Sequence, residues 1–201
     1  MSLWISIQRN HRRRLCLNAV KHIDNLSPIL RSCLLEYGVA DAVMKKSFES
    51  GLSFGTTSGI VTTLGLIVGL GSGTHSTLAV VGGILSLAIA DGLSESMSMH
   101  VSKKIESNDP IYLWESTFST LISKFIVTMS FAIPVLVTNL QAAILIDIAW
   151  GLSLLIVLSY FVSEYEGRRK WRDIFEHLMI AVLVIALTYY AGEWINARFL
   201  T

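Results

Sequence analysis

Residues 78–100 read LAVVGGILSLAIADGLSESMSMH, an apolar run whose second half gains two carboxylates and three hydroxyls. An α-helix rises about 1.5 Å per residue, so about 20 apolar residues cross a hydrocarbon layer roughly 30 Å thick. The run is long enough to predict a transmembrane helix. Its polar second half marks this helix as the candidate functional element of the chain.

Other runs in the chain are as long and as apolar as this one. Of the 201 residues, 52% are hydrophobic and 15% are charged, and the mean hydropathy is +0.57, more than a soluble domain of this size needs to fill its core. The fold class predicted is all-α, an integral membrane bundle of five transmembrane helices at residues 51–70, 78–100, 117–138, 142–162 and 175–195.

The basic residues predict how the bundle is oriented. Lys and Arg are concentrated in the N-terminal segment, at Lys103 and Lys104 after the second helix, and between Arg168 and Arg172 after the fourth. The short loops at 71–75 and 139–141 contain neither. Because cytoplasmic loops are enriched in Lys and Arg, the N-terminus is predicted to be cytoplasmic and the C-terminus to lie outside.

We divide the chain into a basic cytoplasmic segment, residues 1–47, and a transmembrane domain, residues 48–201. The segment mixes Arg9 and Arg12 to Arg14 with apolar residues, which is typical either of an amphipathic helix on the anionic leaflet or of a solvated tail. Beside a membrane domain such arginines indicate topology, so no nucleic-acid partner is expected.

The first helix is rich in small residues. Gly51, Gly55 and Gly59 recur every four positions, and such spacing lets two membrane helices approach closely. Ser58 and Thr62 lie on the same side of this helix. The second helix is the predicted neighbour, because only a short loop separates the two.

The second helix has one polar face. Counting from Asp91, a set of residues falls at the spacing of a single helical face, namely Ser94, Glu95, Ser98, Met99 and Ser102. An ionised carboxylate at the bilayer centre costs about 2.5–3.5 kcal/mol even on a lenient scale. Asp91 and Glu95 therefore need a proton, a basic partner or a cation. A divalent cation would expel a bound proton, and this exchange is the elementary step of metal/proton antiport.

The chemistry of this face predicts a site for a transported metal ion. Carboxylate and hydroxyl oxygens alone suit magnesium or calcium. The thioether of Met99 shifts the preference towards Fe(II) or Mn(II), unless Met99 serves only in packing. The predicted metal-binding residues are Asp91, Glu95, Met99, Ser58, Thr62 and Ser98.

The competing interpretation is structural. Lys124 is a basic residue inside the third predicted helix, and it could form an ion pair with Asp91 and Glu95, or extend to the cytoplasmic interface. Asp147 and Glu193 are near helix ends and are interpreted as interfacial. His100 is interpreted as a solvated residue at the cytoplasmic mouth.

Four stretches carry a resemblance to a known family. They are GIVTTLGL at 59–66, LSESMSMHVSKKIE at 93–106, FAIPVL at 131–136 and WRDIFEHLMIAVLVIALTYYAGEWI at 171–195. In order and placement they resemble the vacuolar iron transporter family, five-helix carriers of iron and manganese, over about residues 48–195. The resemblance implies a homodimer that exports Fe(II) or Mn(II) in exchange for protons, with no cofactor and no enzymatic activity. It also implies the plasma membrane of a prokaryote, or a vacuolar-type membrane in a eukaryote.

The chain departs from that family at three places. Ser58-Gly59 stands where the family has an Asp-Gly pair, so one carboxylate ligand is missing. Glu95 and Met99 stand where the family has a Met followed four residues later by a Glu. The connection after the second helix is short, so the chain resembles a short form that lacks the cytoplasmic metal-binding domain.

Two other functions remain open. One is a non-transporting membrane scaffold of the same fold. The other is an intramembrane hydrolase with Ser58, in Thr57-Ser58-Gly59, as nucleophile, although no histidine deep in another predicted helix could serve as its base.

Overall fold

The protein is an all-α membrane bundle. A computed structural model describes residues 28–106, 110–166 and 170–199, and these ranges contain helices and no strand. Five stretches are long and apolar enough to cross a membrane, as the sequence predicted: Ser47–Thr74, Thr77–Ile105, Pro110–Val137, Leu140–Ser163 and Trp171–Phe199.

Six helices make up the described chain: α1 Pro28–Thr74, α2 Thr77–Glu106, α3 Pro110–Ser130, α4 Ala132–Val137, α5 Leu140–Glu166 and α6 Lys170–Phe199. The chain divides into two compact units, residues 1–45 and residues 46–201. The predicted amphipathic character of residues 1–47 falls mainly on residues outside the described ranges and stays a prediction. The five membrane spans all lie in the second unit.

The third membrane span is broken into α3 and α4. Pro134 has no backbone N–H, and its ring clashes with the carbonyl of the residue four positions earlier, which is Ser130. Helix α3 therefore ends at Ser130. The N–H of Phe131 bonds the carbonyl of Thr128 at 3.3 Å instead of continuing the α-helical pattern.

The connections at one end of the bundle are short and tightly made. His75, between α1 and α2, has φ of 50°, and its N–H bonds the carbonyl of Gly71 at 3.1 Å. Asn139 begins α5 as its N-cap, because its Oδ1 accepts the N–H of Ala142 at 2.9 Å. We call this the His75 end, and the opposite one, which contains Lys103, the Lys103 end. The basic residues predict that the Lys103 end is cytoplasmic.

Helix α1 is the central helix of the membrane domain. Leu64 packs under Gly151 of α5, and Gly73 approaches Gly192 of α6. The apolar core combines residues of α1 with residues of every later helix except α3: Ile60, Leu64, Ile67, Val80, Ile84, Phe131, Val135, Ala143, Leu155 and Ala181. Large apolar side chains face outwards along α2, α5 and α6, as expected for surfaces that contact lipid acyl chains.

Candidate ion site in the membrane domain

The centre of the candidate site is the ammonium group of Lys124 on α3. Its side chain is fully buried, and Nζ lies 2.5 Å from Oδ2 of Asp91 and 2.7 Å from Oε2 of Glu95. A buried ammonium without a partner would be strongly unfavourable in a membrane core. The two carboxylates of α2 supply the negative charge that allows it to lie there.

Ser58 of α1 completes a four-residue cluster. Lys124 Nζ donates to Oγ of Ser58 at 3.2 Å, and the Ser58 hydroxyl in turn donates to Oε1 of Glu95. We call Ser58, Asp91, Glu95 and Lys124 the ion cluster. It joins α1, α2 and α3, and its formal charges sum to one negative.

The ion cluster is not fully satisfied. The contact between Lys124 and Oε2 of Glu95 is close enough for an ion pair but lacks hydrogen-bond geometry, so this oxygen is buried without a hydrogen-bond partner. The side chains of Asp91 and Glu95 are 30% and 20% exposed. One acceptor therefore remains unused, and both carboxylates are partly open to the outside of the protomer.

The close approach of α1 and α3 brings Lys124 to the site. A Cβ atom on Gly51 or Gly55 would collide with Ser119 or Ser123, and with backbone carbonyls of α3. Thr120 Oγ1 also donates to the carbonyl of Gly51 at 3.2 Å. The prediction that this glycine face packs on α2 is therefore wrong. Its neighbour is α3, whose buried serines and threonines match it in size.

Lys124 does not extend to the membrane interface. It lies near the middle of the 28-residue span Pro110–Val137, whereas the sequence pattern started this span at residue 117. The longer helix places the amine too deep to reach the interface, and two carboxylates hold it in place. Of the two structural alternatives considered for Lys124, the geometry is that of the ion pair.

The remaining predicted ligands are distributed around the cluster. The hydroxyl of Thr62 donates to the carbonyl of Ser58 at 2.8 Å, and that of Ser98 to the carbonyl of Ser94 at 3.0 Å. Met99 is 8% exposed and therefore largely buried, one turn beyond Glu95. Among the six predicted residues, a direct side-chain hydrogen bond links only Ser58 and Glu95. Asp91 is linked to them through Lys124. Within the part of the chain that the structure describes, no three His, Cys, Asp or Glu residues lie together as a metal site.

His100 is more enclosed than the sequence suggested. Its Nδ1 lies 3.0 Å from Oγ1 of Thr117, and its ring centroid lies 5.0 Å from that of Trp114. These contacts hold α2 against α3 near the Lys103 end. They give His100 a place in helix packing, while its side chain stays partly exposed.

A cavity of about 280 Å³ opens at the His75 end. Its polar lining includes His75, Gln141, Tyr189 and Glu193, and the remaining lining residues are Val68, Gly71, Ser72, Leu140 and Ile144. His75 Nε2 also lies 3.0 Å from Nδ2 of Asn196. Glu193, which was predicted to be interfacial, lines this opening.

Asp147 of α5 lies inside the bundle and not at its surface. It was interpreted as interfacial, yet it is fully buried, and neither carboxylate oxygen has a hydrogen-bond partner among the described residues. One signal could have located it. Ala143, Asp147 and Gly151 follow one another at four-residue spacing, and this spacing forms the buried face of α5.

Comparison of the chain with protein-family models, with curated proteins and with solved structures finds no match.

Proposed function

We propose that the protein is a homodimeric exporter of a divalent transition metal, Fe(II) or Mn(II), in exchange for protons. The observation that carries the proposal is the ion cluster, in which two carboxylates inside a membrane span hold a cationic group. Intramembrane ionisable residues that face one another mark ion pathways and proton relays. The family resemblance of the sequence supports the same function and supplies the choice of metal.

In this mechanism the ammonium of Lys124 and the substrate cation compete for the same oxygens. A divalent ion that binds Asp91 and Glu95 neutralises both carboxylates and repels the adjacent ammonium. The ion cluster then releases one proton, because its positive charges repel one another. Metal entry is thereby linked to proton release. When the metal leaves, return of the proton restores the ion pairs and closes the cycle.

The exposed surface of α2 supports the proposed dimer. Small residues recur along it every four positions, at Gly82, Ser86, Ala90, Ser94 and Ser98, and all are exposed. A Cβ on Gly82 would contact nothing within 4 Å. Such faces allow two membrane helices to pack closely. Two copies joined here would place the partly exposed Asp91 beside the interface, on a path between protomers.

Metal flux into liposomes tests the proposal. Wild-type protein should transport Mn(II), and the double substitution Asp91→Ala with Glu95→Ala should abolish transport, because the site loses both charged ligands. The matched control is Asp173→Ala with Glu176→Ala, which removes two carboxylates from α6 near the Lys103 end. Flux that survives in the α2 variant would exclude the ion cluster as the transport site.

The second candidate is a membrane scaffold that binds no metal. It is favoured by the burial of Lys124 and by its three contacts in the ion cluster, which already provide a counter-charge. Metal binding separates the two candidates, because a ligand at 100 times its Kd stabilises the folded state by about 2.7 kcal/mol. A thermal unfolding midpoint that Mn(II) leaves unchanged would favour the scaffold.

A hydrolytic function has less support. Lys124 Nζ lies 3.2 Å from the Ser58 hydroxyl, so a nitrogen is present beside the candidate nucleophile. As an ammonium that donates to Asp91 and Ser58, however, it has no lone pair with which to accept the serine proton. Covalent labelling of Ser58 by a fluorophosphonate probe would be required to revive this function.

A further inference from the structure

A second acidic position exists in the membrane domain, apart from the ion cluster. Asp147 of α5 is fully buried, and both of its carboxylate oxygens are buried without a hydrogen-bond partner in the described ranges. Buried polar groups in folded proteins are nearly always paired. An exception inside a membrane span calls for a chemical explanation.

The other polar residues on the same face of α5 do have partners. Ser159 Oγ lies 2.8 Å from Nδ1 of His177, and Ser163 donates to Oδ2 of Asp173 at 3.0 Å. These pairs join α5 to α6 towards the Lys103 end. Asp147, by contrast, lies between Ala143 and Gly151 on a face that packs against apolar residues of α1.

Its surroundings indicate the protonation state of Asp147. An ionised carboxylate needs a cation or several hydrogen-bond donors to remain in an apolar environment. Neither is found among the described residues around Asp147. The neutral acid needs no cation and fewer hydrogen-bond donors, so the geometry favours a carboxyl group that carries a proton.

The cavity at the His75 end offers a route for that proton. Ile144 lines the cavity on α5, and Asp147 is three residues further along the helix, about 4.5 Å deeper at 1.5 Å per residue. The titratable groups on the neighbouring elements, His75, Tyr189 and Glu193, all line the cavity.

We propose that Asp147 is a proton-binding site that is loaded in this conformation and exchanges its proton with water in the cavity. On release, the O–H bond of the carboxylic acid breaks, the proton passes to a water molecule, and a carboxylate remains. The cavity would have to extend by one helical turn to solvate it. The coupling of this proton to metal export rests on the proposed function, whereas the protonation of Asp147 does not.

Infrared spectroscopy of the purified full-length protein tests the protonation directly. A protonated carboxyl group gives a C=O stretching band at higher frequency than a carboxylate. The background is Glu115→Gln, because Oε2 of Glu115 is also buried without a hydrogen-bond partner. At neutral pH, Asp147→Asn should remove the intensity of one protonated carboxyl, and Asp147→Val should do the same. The matched control, Glu176→Gln at an exposed position of α6, should leave the protonated band unchanged.

Two results would overturn the proposal. If Asp147→Asn and Asp147→Val both leave the protonated band intact and reduce the carboxylate band, Asp147 is ionised. If the Asp147 band does not shift in D₂O while exposed amides exchange, the carboxyl has no exchange path to the cavity.

Proton counting then tests the link to transport. A pH-sensitive dye in the proteoliposome lumen should report fewer protons exchanged per Mn(II) for Asp147→Asn than for wild type. Equal ratios would show that Asp147 is not coupled to the metal. If the wild-type protein moves no metal, the proposed function fails, while the infrared result still decides whether Asp147 binds a proton.

Discussion

The ion cluster and Asp147 show two ways of holding an acidic side chain inside a membrane bundle. At the ion cluster, two carboxylates share a buried ammonium, and one of them also accepts a serine hydroxyl. At Asp147, no described residue bonds either oxygen. The first arrangement depends on partners from three helices, whereas the second depends on a bound proton. Substitutions should therefore affect the two positions in opposite ways.

The largest effect is expected when the ammonium loses its partners. In Asp91→Asn with Glu95→Gln, Lys124 remains fully buried without a counter-charge, and such losses destabilise by about 3–5 kcal/mol. The free energy of unfolding can be measured by denaturant titration in mixed micelles. Adding Lys124→Met should recover most of the loss, because an apolar replacement of a whole ion pair is often neutral. A triple variant as unstable as the double one would contradict this account.

A smaller effect is expected at the interface that positions Lys124. In Gly55→Val the new Cβ would lie 2.5 Å from the carbonyl oxygen of Thr120, a backbone atom that cannot rotate away. Overpacking of this kind destabilises by about 1–3 kcal/mol, and the displaced α3 should also weaken Mn(II) transport. Ala149→Val is the control, since Ala149 is exposed on α5 and lies outside the proposed dimer face. Equal losses of stability in the two variants would show that the contact between α1 and α3 is unimportant.

The smallest effects separate Asp147 from a paired polar residue on the same face. Ser159→Ala removes the bond to His177 and should destabilise by about 1 kcal/mol. Asp147→Val removes a buried group that has no partner, so the free energy of unfolding should stay the same or rise by about 1 kcal/mol. A loss of stability in Asp147→Val as large as in Ser159→Ala would reveal a partner for Asp147. Both values come from the same denaturant titration.

The five membrane spans were predictable because apolar length alone defines them. The ends of the spans were less predictable, since a helix can extend beyond its apolar run. Helix α3, for example, begins at Pro110, seven residues before the predicted span. That error in the start of the third span made Lys124 seem close to the interface. The depth of a charged residue in the membrane depends on where its helix begins and ends, and composition alone does not give those ends precisely.

The polar face of α2 was also predictable, and two of its residues, Asp91 and Glu95, do lie together with Ser58 around one cationic group. That group is Lys124, which the sequence offered as a structural partner in place of a metal ion, but the contact that brings α3 to Ser58 was not predictable. Helices α1 and α3 are distant in sequence, and at their contact glycines of α1 meet serines and threonines of α3. The glycine spacing predicts a close helix contact but does not identify the neighbouring helix. Asp147 was missed, although its four-residue spacing from Ala143 and Gly151, which marks the buried face of α5, was visible in the sequence.

The interruption at Phe131 has a mechanical consequence. Phe131 and Val135 are buried in the apolar core, so α4 is anchored there. Lys124 lies on α3, a separate helix of 21 residues that ends before α4 begins. Where α3 meets α1, glycines face small hydroxyl side chains at Gly51 and Gly55, and Val127 and Lys124 lie beside Gly59. A sideways displacement of α3 would withdraw the ammonium from its carboxylates, while α4 stays anchored in the apolar core.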